Sequence, residues 1–394
     1  MLKPRLNSTV LLSPIVDGYV AYDTDTDRLH RLNATASLIV ELCDGTREIE
    51  QIETSVRALL PKNETSALRE WFKEALENNL LVASHDKPAK HASLSADQLA
   101  KLADRLRERG KIQTAYLCQK QAAELKPDCA SKWADLGELA HIAGLRQEAR
   151  NSYEHYLTIQ PDDAEVQHIL VALRDEAPPS RMPDKCIQQL YERFSSFYDS
   201  NLIEELEYVV PEKLNEVIEL VFPGRKDLKI LDLGCGTGLS GERFRERAGV
   251  LDGIDLSSEM ISMARKRKLY DSLEVAEITS WLSETEQPYH EDEVRRYDLI
   301  VACDTLIYFG DLSQVILPAS RVLNNGGAIA FSVERSEHPS YVLTDSGRYA
   351  HHFEYIKQVA RSAGLTVEVH REEFLRMEYG EEVIGHIVVL SRKT

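Results

Sequence analysis

The chain has no apolar run of about 18 residues, the length a membrane-spanning helix needs. Its first residues, Met1 to Asn7, lack the long apolar core of a signal peptide. Cysteine is sparse and scattered: the six residues at 43, 118, 129, 186, 235 and 303 form no C-x-x-C pair, and no histidine cluster falls at metal-ligand spacing. A disulfide-stapled scaffold and a zinc ribbon are thereby excluded. The expectation is a soluble cytoplasmic protein with reduced thiols and no metal. Positive charge is also short, with 47 Lys and Arg against 65 Asp and Glu and a net charge of −18. That balance opposes a polyanion over most of the surface, despite local basic clusters at Arg243 to Arg247 and Arg265 to Lys268, so neither nucleic acid nor membrane is expected as a partner. At 394 residues the chain has room for two or three domains, each with its own core.

The most informative segment runs from Lys229 to Gly238 and is followed by Leu251 to Ser257. Ile230, Leu231 and Leu233 read as a buried parallel strand, and Gly234, Gly236 and Gly238 let the next turn approach a ligand without Cβ clashes. Gly236 to Gly241 also fits the G-x-G-x-x-G dinucleotide pattern, so glycines alone leave two ligand classes open. The acids separate them. A pyrophosphate favours helix N-terminal amides without a nearby carboxylate, whereas here strand ends carry Asp232, Asp255, Glu277 and Asp304. Four carboxylates suit a ligand with an ammonium and a sulfonium.

These residues resemble the class I S-adenosylmethionine (SAM) methyltransferases, and the region from about Cys186 onward resembles the methyltransferase part of a bacterial tetratricopeptide-fused family. The resemblance implies a C-terminal α/β Rossmann-like domain over 184–394, with strands at 229–233, 251–255, about 273–276, 298–303 and 327–333. It implies that Asp232 and the amides after Gly234 hold the methionine part of SAM or of its product, S-adenosylhomocysteine. Asp255 would take the ribose, Leu256 the adenine face, and Glu277 and Ile278 the edge of the base. Cys303 and Asp304 would lie under the methionine portion, with Cys303 a buried thiol and not a nucleophile. The aromatics of 191–198 share one helical face, and Tyr198 in particular would close over the cofactor. Methyl transfer requires mainly proximity and exclusion of water, with a base only for a protonated acceptor. Tyr308, Tyr349 and His351 are the catalytic candidates, His351 being the best base by its ordinary pKa. Arg348 and Glu334 are acceptor contacts, with Arg348 the best carboxylate clamp.

Upstream, residues 8–32 alternate around turn signals as a three-stranded meander, and Asn33 reads as the N-cap of a helix through Leu42. Helices at Ile49 to Leu60 and Ser66 to Asn79 follow, closed by Leu80 to Val82. This pattern resembles the winged-helix-like α+β PqqD fold over residues 1–85, which implies recognition of a precursor peptide by strand addition along Arg28 to Leu32. Leu29 and Arg31 on that edge, with Trp71 and Phe72 on the facing helix, are the implied peptide contacts. His85 to Ser95 reads as a linker. In 95–176, Leu102, Gly110, Ala115 and Pro127 recur 34 positions later at Leu136, Gly144, Ala149 and Pro161, the all-α pattern of a tetratricopeptide pair with Ala164 to Leu173 as its cap. It serves either as a docking or dimer surface or as a spacer. Glu176 to Pro183 breaks helix and marks the last boundary.

The expected function is methylation of a precursor peptide's core, favouring a carboxylate, while the front domain holds the leader. Other modifying enzymes are potential partners, and the oligomeric state is left open. The alternatives are a small-molecule or protein methyltransferase with a regulatory front domain, and a non-catalytic peptide-binding scaffold.

Overall fold

The computed structural model describes residues 2–15, 18–59, 68–83, 94–194, 207–286, 295–378 and 381–392. The chain divides into two compact units, Met1–Pro161 and Asp162–Thr394. Among the described residues no helix is long and apolar enough to cross a membrane.

In the first unit, β2 (Val10–Ile15), β3 (Gly18–Asp23) and β4 (Arg28–Asn33) form an antiparallel sheet in that order. Asn33 then caps α1 (Ala34–Leu42), its side chain accepting from the Ala36 amide at 2.9 Å. Helices α2 (Ile49–Leu59) and α3 (Leu68–Glu77) complete a core built on Ile39, Ile52, Val56 and Phe72. A short strand missed by periodicity, β1 (Pro4–Leu6), pairs antiparallel with β5 (Leu81–Ala83) and closes this part.

The 34-residue repeat emerges as two helical hairpins, α4 (Ala96–Glu108) with α5 (Ile112–Leu125) and α6 (Ala130–Ile142) with α7 (Arg146–Ile159). Gly110 and Gly144 occupy the same left-handed turn between their helices, at φ +71° and +72°. These hairpins and the sheet belong to one unit, with Lys111 Nζ 2.9 Å from Asp27. Helix α8 (Ala164–Leu173), expected to cap the repeats, is instead part of the second unit, where His168 Nε2 lies 3.0 Å from the Gly347 carbonyl. The expected linker falls largely at residues 84–93, outside the described residues.

The second unit centres on a nine-stranded sheet. Strands β6 (Leu228–Leu233), β7 (Ala248–Asp255), β8 (Ser272–Val275), β9 (Tyr297–Ala302) and β10 (Leu323–Arg335) are parallel, in the spatial order β8-β7-β6-β9-β10. The order reverses direction between β6 and β9, and ligands of such sheets sit at the carboxyl side of that switch. Alternation along β6 sends Leu228 and Ile230 into one core layer and Leu231 and Leu233 into the other. Helix α10 (Val210–Val221) covers the first layer with Leu214, Val217 and Ile218. The second layer lies under α9 (Asp184–Phe194), α13 (Ile278–Glu286), α14 (Ser313–Arg321) and α15 (Phe353–Ser362). Beyond β10 the sheet departs from the five-strand expectation. A long hairpin of β13 (Thr366–Glu378) and β14 (Glu381–Ser391) joins it antiparallel through β14, and β11 (Tyr341–Leu343) and β12 (Tyr349–His351) extend the far end of β10.

Candidate active site

The turn after β6 is built for close approach. Gly234 has φ +68°, and a Cβ there would meet Thr305 Cγ2 at 2.4 Å, so glycine is required both by conformation and by space. Gly236, at φ +54°, is different: a Cβ there would meet nothing within 4 Å. Gly238, at φ +89°, caps α11 (Leu239–Phe244). The Gly234 and Cys235 amides donate to the Ile254 carbonyl at 2.9 and 3.0 Å, tying the turn to the end of β7.

Asp255 completes that tie. It is buried, its Oδ2 accepting from the Gly236 amide at 2.9 Å and its Oδ1 from the Ser257 amide at 2.8 Å. Burial pushes its pKa up to about 6, against the pull of those amides. Asp232 is fully buried with an asymmetric set of partners. Ser240 Oγ and Tyr270 OH both donate to its Oδ2, at 2.6 and 2.7 Å, while Oδ1 has no hydrogen-bond partner among the described residues. Burial raises Asp232 to about 6 as well, and the nearby Asp255 charge adds to the effect. An orphaned carboxylate oxygen at full burial costs stability unless a donor meets it. A ligand ammonium is such a donor, and the space above Gly236 is open.

Tyr270 was not foreseen. The signal for it lies in two other glycines: a Cβ on Gly241 would meet its ring at 2.7 Å, and one on Gly253 at 2.9 Å. Together they clear the path by which its hydroxyl reaches Asp232.

A cavity opens beside this turn, lined by Gly234, Asp255, Leu256, Glu277, Ile278, Thr305 and Tyr308, with Arg181, Asp184, Ile187 and Tyr191 on its other wall. Leu256 and Ile278, expected beside the adenine, both line this cavity. Glu277 lines the cavity, but its carboxylate is spent on α13, accepting from the Thr279 amide and hydroxyl and the Ser280 amide at 3.0, 2.6 and 2.8 Å. Arg181 Nη1 adds a 3.3 Å contact. Burial works against its charge, yet those hydrogen bonds hold Glu277 below the usual carboxylate range. Arg181 comes from the segment expected as a boundary. That segment runs along the turn after β9, with the Met182 amide donating to the Tyr308 carbonyl at 2.8 Å. Tyr198 lies outside the described residues, but Tyr191 of the same aromatic run donates its hydroxyl to Tyr308 OH at 3.3 Å.

Of the three catalytic candidates, Tyr308 lines the cavity, and burial raises its pKa. His351 is fully buried outside the lining, with Nε2 3.1 Å from the Gly310 carbonyl and Nδ1 unpartnered. Burial lowers its pKa to about 4, and a base that does not reach the cavity cannot meet an acceptor there. Tyr349 is fully buried too, donating to the Pro179 carbonyl at 2.8 Å, so the geometry gives it a packing role. The thiol of Cys303 is pushed well above its ordinary range by burial, which fits an inert side chain.

The expected acceptor contacts, Glu334 and Arg348, are each paired with another charged side chain. Arg376, 1% exposed, makes a two-pronged pair with Asp304 at 2.9 and 3.0 Å and also binds Glu334 and Glu378. Arg348 pairs with Glu378. Three carboxylates and two guanidinia therefore form one ion-pair network at the ends of β9, β10 and β13, with Arg376 Nε left without a hydrogen-bond partner among the described residues. Asp304, expected under the cofactor, and Arg348, expected as a clamp, are both committed within it. In the first unit, Leu29 is 51% exposed and Arg31 exposed on the outer strand β4, Trp71 is half-buried and Phe72 is core.

Residues 225–379, less than half of the chain, match the family model described as a methyltransferase domain. The chain is similar to the ubiquinone biosynthesis O-methyltransferase of Vibrio atlanticus (strain LGP32), 28% identical over 142 residues, covering 36% of this chain and 58% of that protein's length. To the protein of the same name from Nitrosomonas europaea it is 29% identical over 196 residues, covering 44% of this chain and 80% of the relative. Among solved structures it is similar to the magnesium protoporphyrin IX methyltransferase of Synechocystis PCC 6803 with bound SAM, at 15% identity and TM-score 0.38, covering 55% of this chain and 100% of that one. It is also similar to a SAM-dependent methyltransferase from Clostridium acetobutylicum ATCC 824, at 19% identity and TM-score 0.36, over 52% of this chain and 100% of that one. The second unit contains a methyltransferase domain of the class I, SAM-dependent type, and SAM is the cofactor that its turn, orphaned carboxylate and cavity fit.

Proposed function

We propose that the chain methylates an acceptor entering the cavity beside Tyr191 and Tyr308, and that this acceptor is a precursor peptide held through its leader by the first unit. The observation that carries the methyltransferase reading is the pair of buried acids flanking an open left-handed glycine turn, one of them with a free oxygen. When bound, SAM supplies an activated methyl group. Asp232 and its unpartnered oxygen would hold the ammonium, Asp255 the ribose hydroxyls, and Leu256 and Ile278 would keep water from the base. Tyr191 and Tyr308 would place the acceptor, since displacement at carbon depends on alignment more than on proton transfer.

The peptide reading is supported by the first unit. Strand β4 has β3 as its described partner on one side only, and Leu29 and Arg31 project from it. An added strand would take its free backbone groups, in the manner of the PqqD fold this part resembles. The two hairpins resemble a tetratricopeptide pair and would serve as a further docking surface or a spacer. A carboxylate acceptor loses its main support, because Arg348 is neutralised by Glu378. A second reading, transfer to a hydroxyl of a small molecule, is favoured by the O-methyltransferase names of the curated relatives.

Titration calorimetry with S-adenosylhomocysteine tests the core of this proposal. Wild type and Arg31→Glu should bind it, and Asp255→Ala should not. Absence of heat with wild type would leave a scaffold as the better reading. Fluorescence anisotropy with labelled synthetic peptides of alternating apolar and acidic residues tests the rest. Binding abolished by Arg31→Glu supports the peptide, and binding indifferent to it leaves the small-molecule acceptor.

A further inference from the structure

The hairpin of β13 and β14 carries a group of side chains that the cofactor site does not use. His370 and Glu372 alternate on β13, so both point to one face, and Glu372 is the direct cross-strand partner of His386 on β14. The ligating atoms of the three lie within 4.8 Å of one another. Among the described residues this is the one group of three His, Cys, Asp or Glu side chains that converges in this way. We propose that His370, Glu372 and His386 form a binding site for a divalent first-row transition ion, with zinc as its first candidate.

The geometry supports it at each ligand. His370 Nε2 and His386 Nδ1 are 3.0 Å apart. Two imidazole nitrogens about 2.05 Å from a common zinc stand roughly 2.9 Å apart at a right angle and about 3.3 Å apart at a tetrahedral one, so the pair needs only a small adjustment to share an ion. The rings are held in place from outside. Phe353 at the start of α15 stacks on His370 with centroids 3.5 Å apart and planes 11° apart, fixing which nitrogen faces His386. His386 is 2% exposed and belongs to the packed sheet. Glu372 is exposed, and its Oε2 accepts from Arg335 Nη1 at 3.0 Å. An outer hydrogen bond of this kind orients a ligating carboxylate while the other oxygen stays available. Two imidazoles and a carboxylate suit zinc, nickel or copper better than magnesium or calcium. Because Glu372 is on the solvent side, the remaining coordination positions are open to water.

The site would clamp the two strands to each other and, through Phe353, to α15. The experiment uses the full chain, freed of metal by a chelator and titrated with zinc chloride in competition with a chromophoric chelator. One zinc per chain is expected, with affinity weakened at least about tenfold in both His370→Gln and Glu372→Ala. Zinc should raise the melting temperature of the wild type and leave those two variants unmoved. His386→Ala is a third test where circular dichroism shows that it folds, and the two less buried positions decide without it. Cobalt in place of zinc should give visible d–d bands with no thiolate charge-transfer band, which separates the site from the six free cysteines. No stoichiometric binding would reduce the cluster to a hydrogen-bonded histidine pair. Binding that survives both substitutions, or that carries a thiolate band, would place the ion elsewhere. Either result overturns the proposal.

Discussion

Two stretches of the same row of strand ends hold their carboxylates in opposite ways. At the tips of β6 and β7, Asp232 and Asp255 are buried against hydroxyls and backbone amides, with no cation in contact, and both are raised to about 6. At the tips of β9, β10 and β13, Asp304, Glu334 and Glu378 are locked by Arg376 and Arg348. The first arrangement leaves one acceptor, Asp232 Oδ1, without a donor among the described residues, which a cationic ligand would supply. In the second every carboxylate is paired with a guanidinium, and the atom left without a hydrogen-bond partner among the described residues is a donor, Arg376 Nε, which offers a cationic ligand nothing. Even within it the charges differ. Burial drives Glu334 up, whereas half-buried Glu378 is held down by two guanidinia. The lesson is that an acid near a pocket is informative about ligands only when its partners are counted.

The comparison breaks most visibly at Arg376. Arg376→Met leaves buried Glu334 and half-buried Asp304 and Glu378 beside one remaining guanidinium, and removal of one partner from a buried ion network costs about 3–5 kcal/mol. For a unit of this size that is a fall in melting temperature on the order of 10 °C. Urea denaturation measures it, and a loss below about 1 kcal/mol would mean that the network is solvated after all. Adding Asp304→Asn and Glu334→Gln should recover much of the loss.

Asp255→Ala comes next. It removes the acceptor for the Gly236 and Ser257 amides as well as the proposed ribose partner, and should weaken S-adenosylhomocysteine at least about 100-fold, or about 2.7 kcal/mol. Calorimetry reads this directly. Arg376→Met, at temperatures where it is folded, should bind that ligand far better than Asp255→Ala, because Arg376 acts on the ion-pair network.

How much of this contrast was legible depends on how far apart in sequence the partners lie. The glycine turn, Asp232 and Asp255 sit within one strand–turn–helix–strand stretch, so apolar runs and glycines marked them. Asn33 announced α1 in the same local way, and the spacing of Gly110 and Gly144 announced two hairpins of equal length. Arg376 is 72 positions from Asp304, and nothing local in Thr366–Glu378 marks it. That strand alternates charges with apolar residues over thirteen positions and is largely half-buried, so its pattern resembles a surface segment. His351 misled for a related reason. Its ordinary pKa suggests a base, but fold-level burial beside Gly310 moves it to about 4 and takes it out of reach.

A pH titration sharpens the contrast further. Asp232 is ionised above about 6 and protonated below it, and an ammonium favours the ionised form. Ligand affinity should therefore fall as pH drops from 7.5 to 5, by about tenfold for one such group. Asp232→Asn should lower affinity at pH 7.5 and flatten the profile, leaving only the dependence contributed by Asp255, which is also raised to about 6. The folding term has the opposite sign. A carboxyl whose native pKa is raised contributes its stability below its unfolded value and loses it as pH climbs through the native value. Asp232→Asn should thus raise the melting temperature of the ligand-free protein at pH 7.5 and leave it nearly unchanged at pH 3.5. A flat affinity profile in wild type would mean that Asp232 is not the ammonium partner.

The smallest effect separates packing from chemistry. Tyr349→Phe removes one buried hydroxyl and leaves the Pro179 carbonyl short of a donor, a loss of about 1 kcal/mol. Because Tyr349 sits outside the cavity lining, affinity for S-adenosylhomocysteine should stay within about twofold, as expected for sites without shared partners. Tyr308→Phe is the matched control: it also loses one hydroxyl, but from the cavity wall, where Tyr191 donates to it. Methyl transfer should be slower in Tyr308→Phe than in Tyr349→Phe when both are compared at saturating cofactor. Equal rates would mean that neither tyrosine positions the acceptor, and would move that role to the wall formed by Arg181 and Asp184.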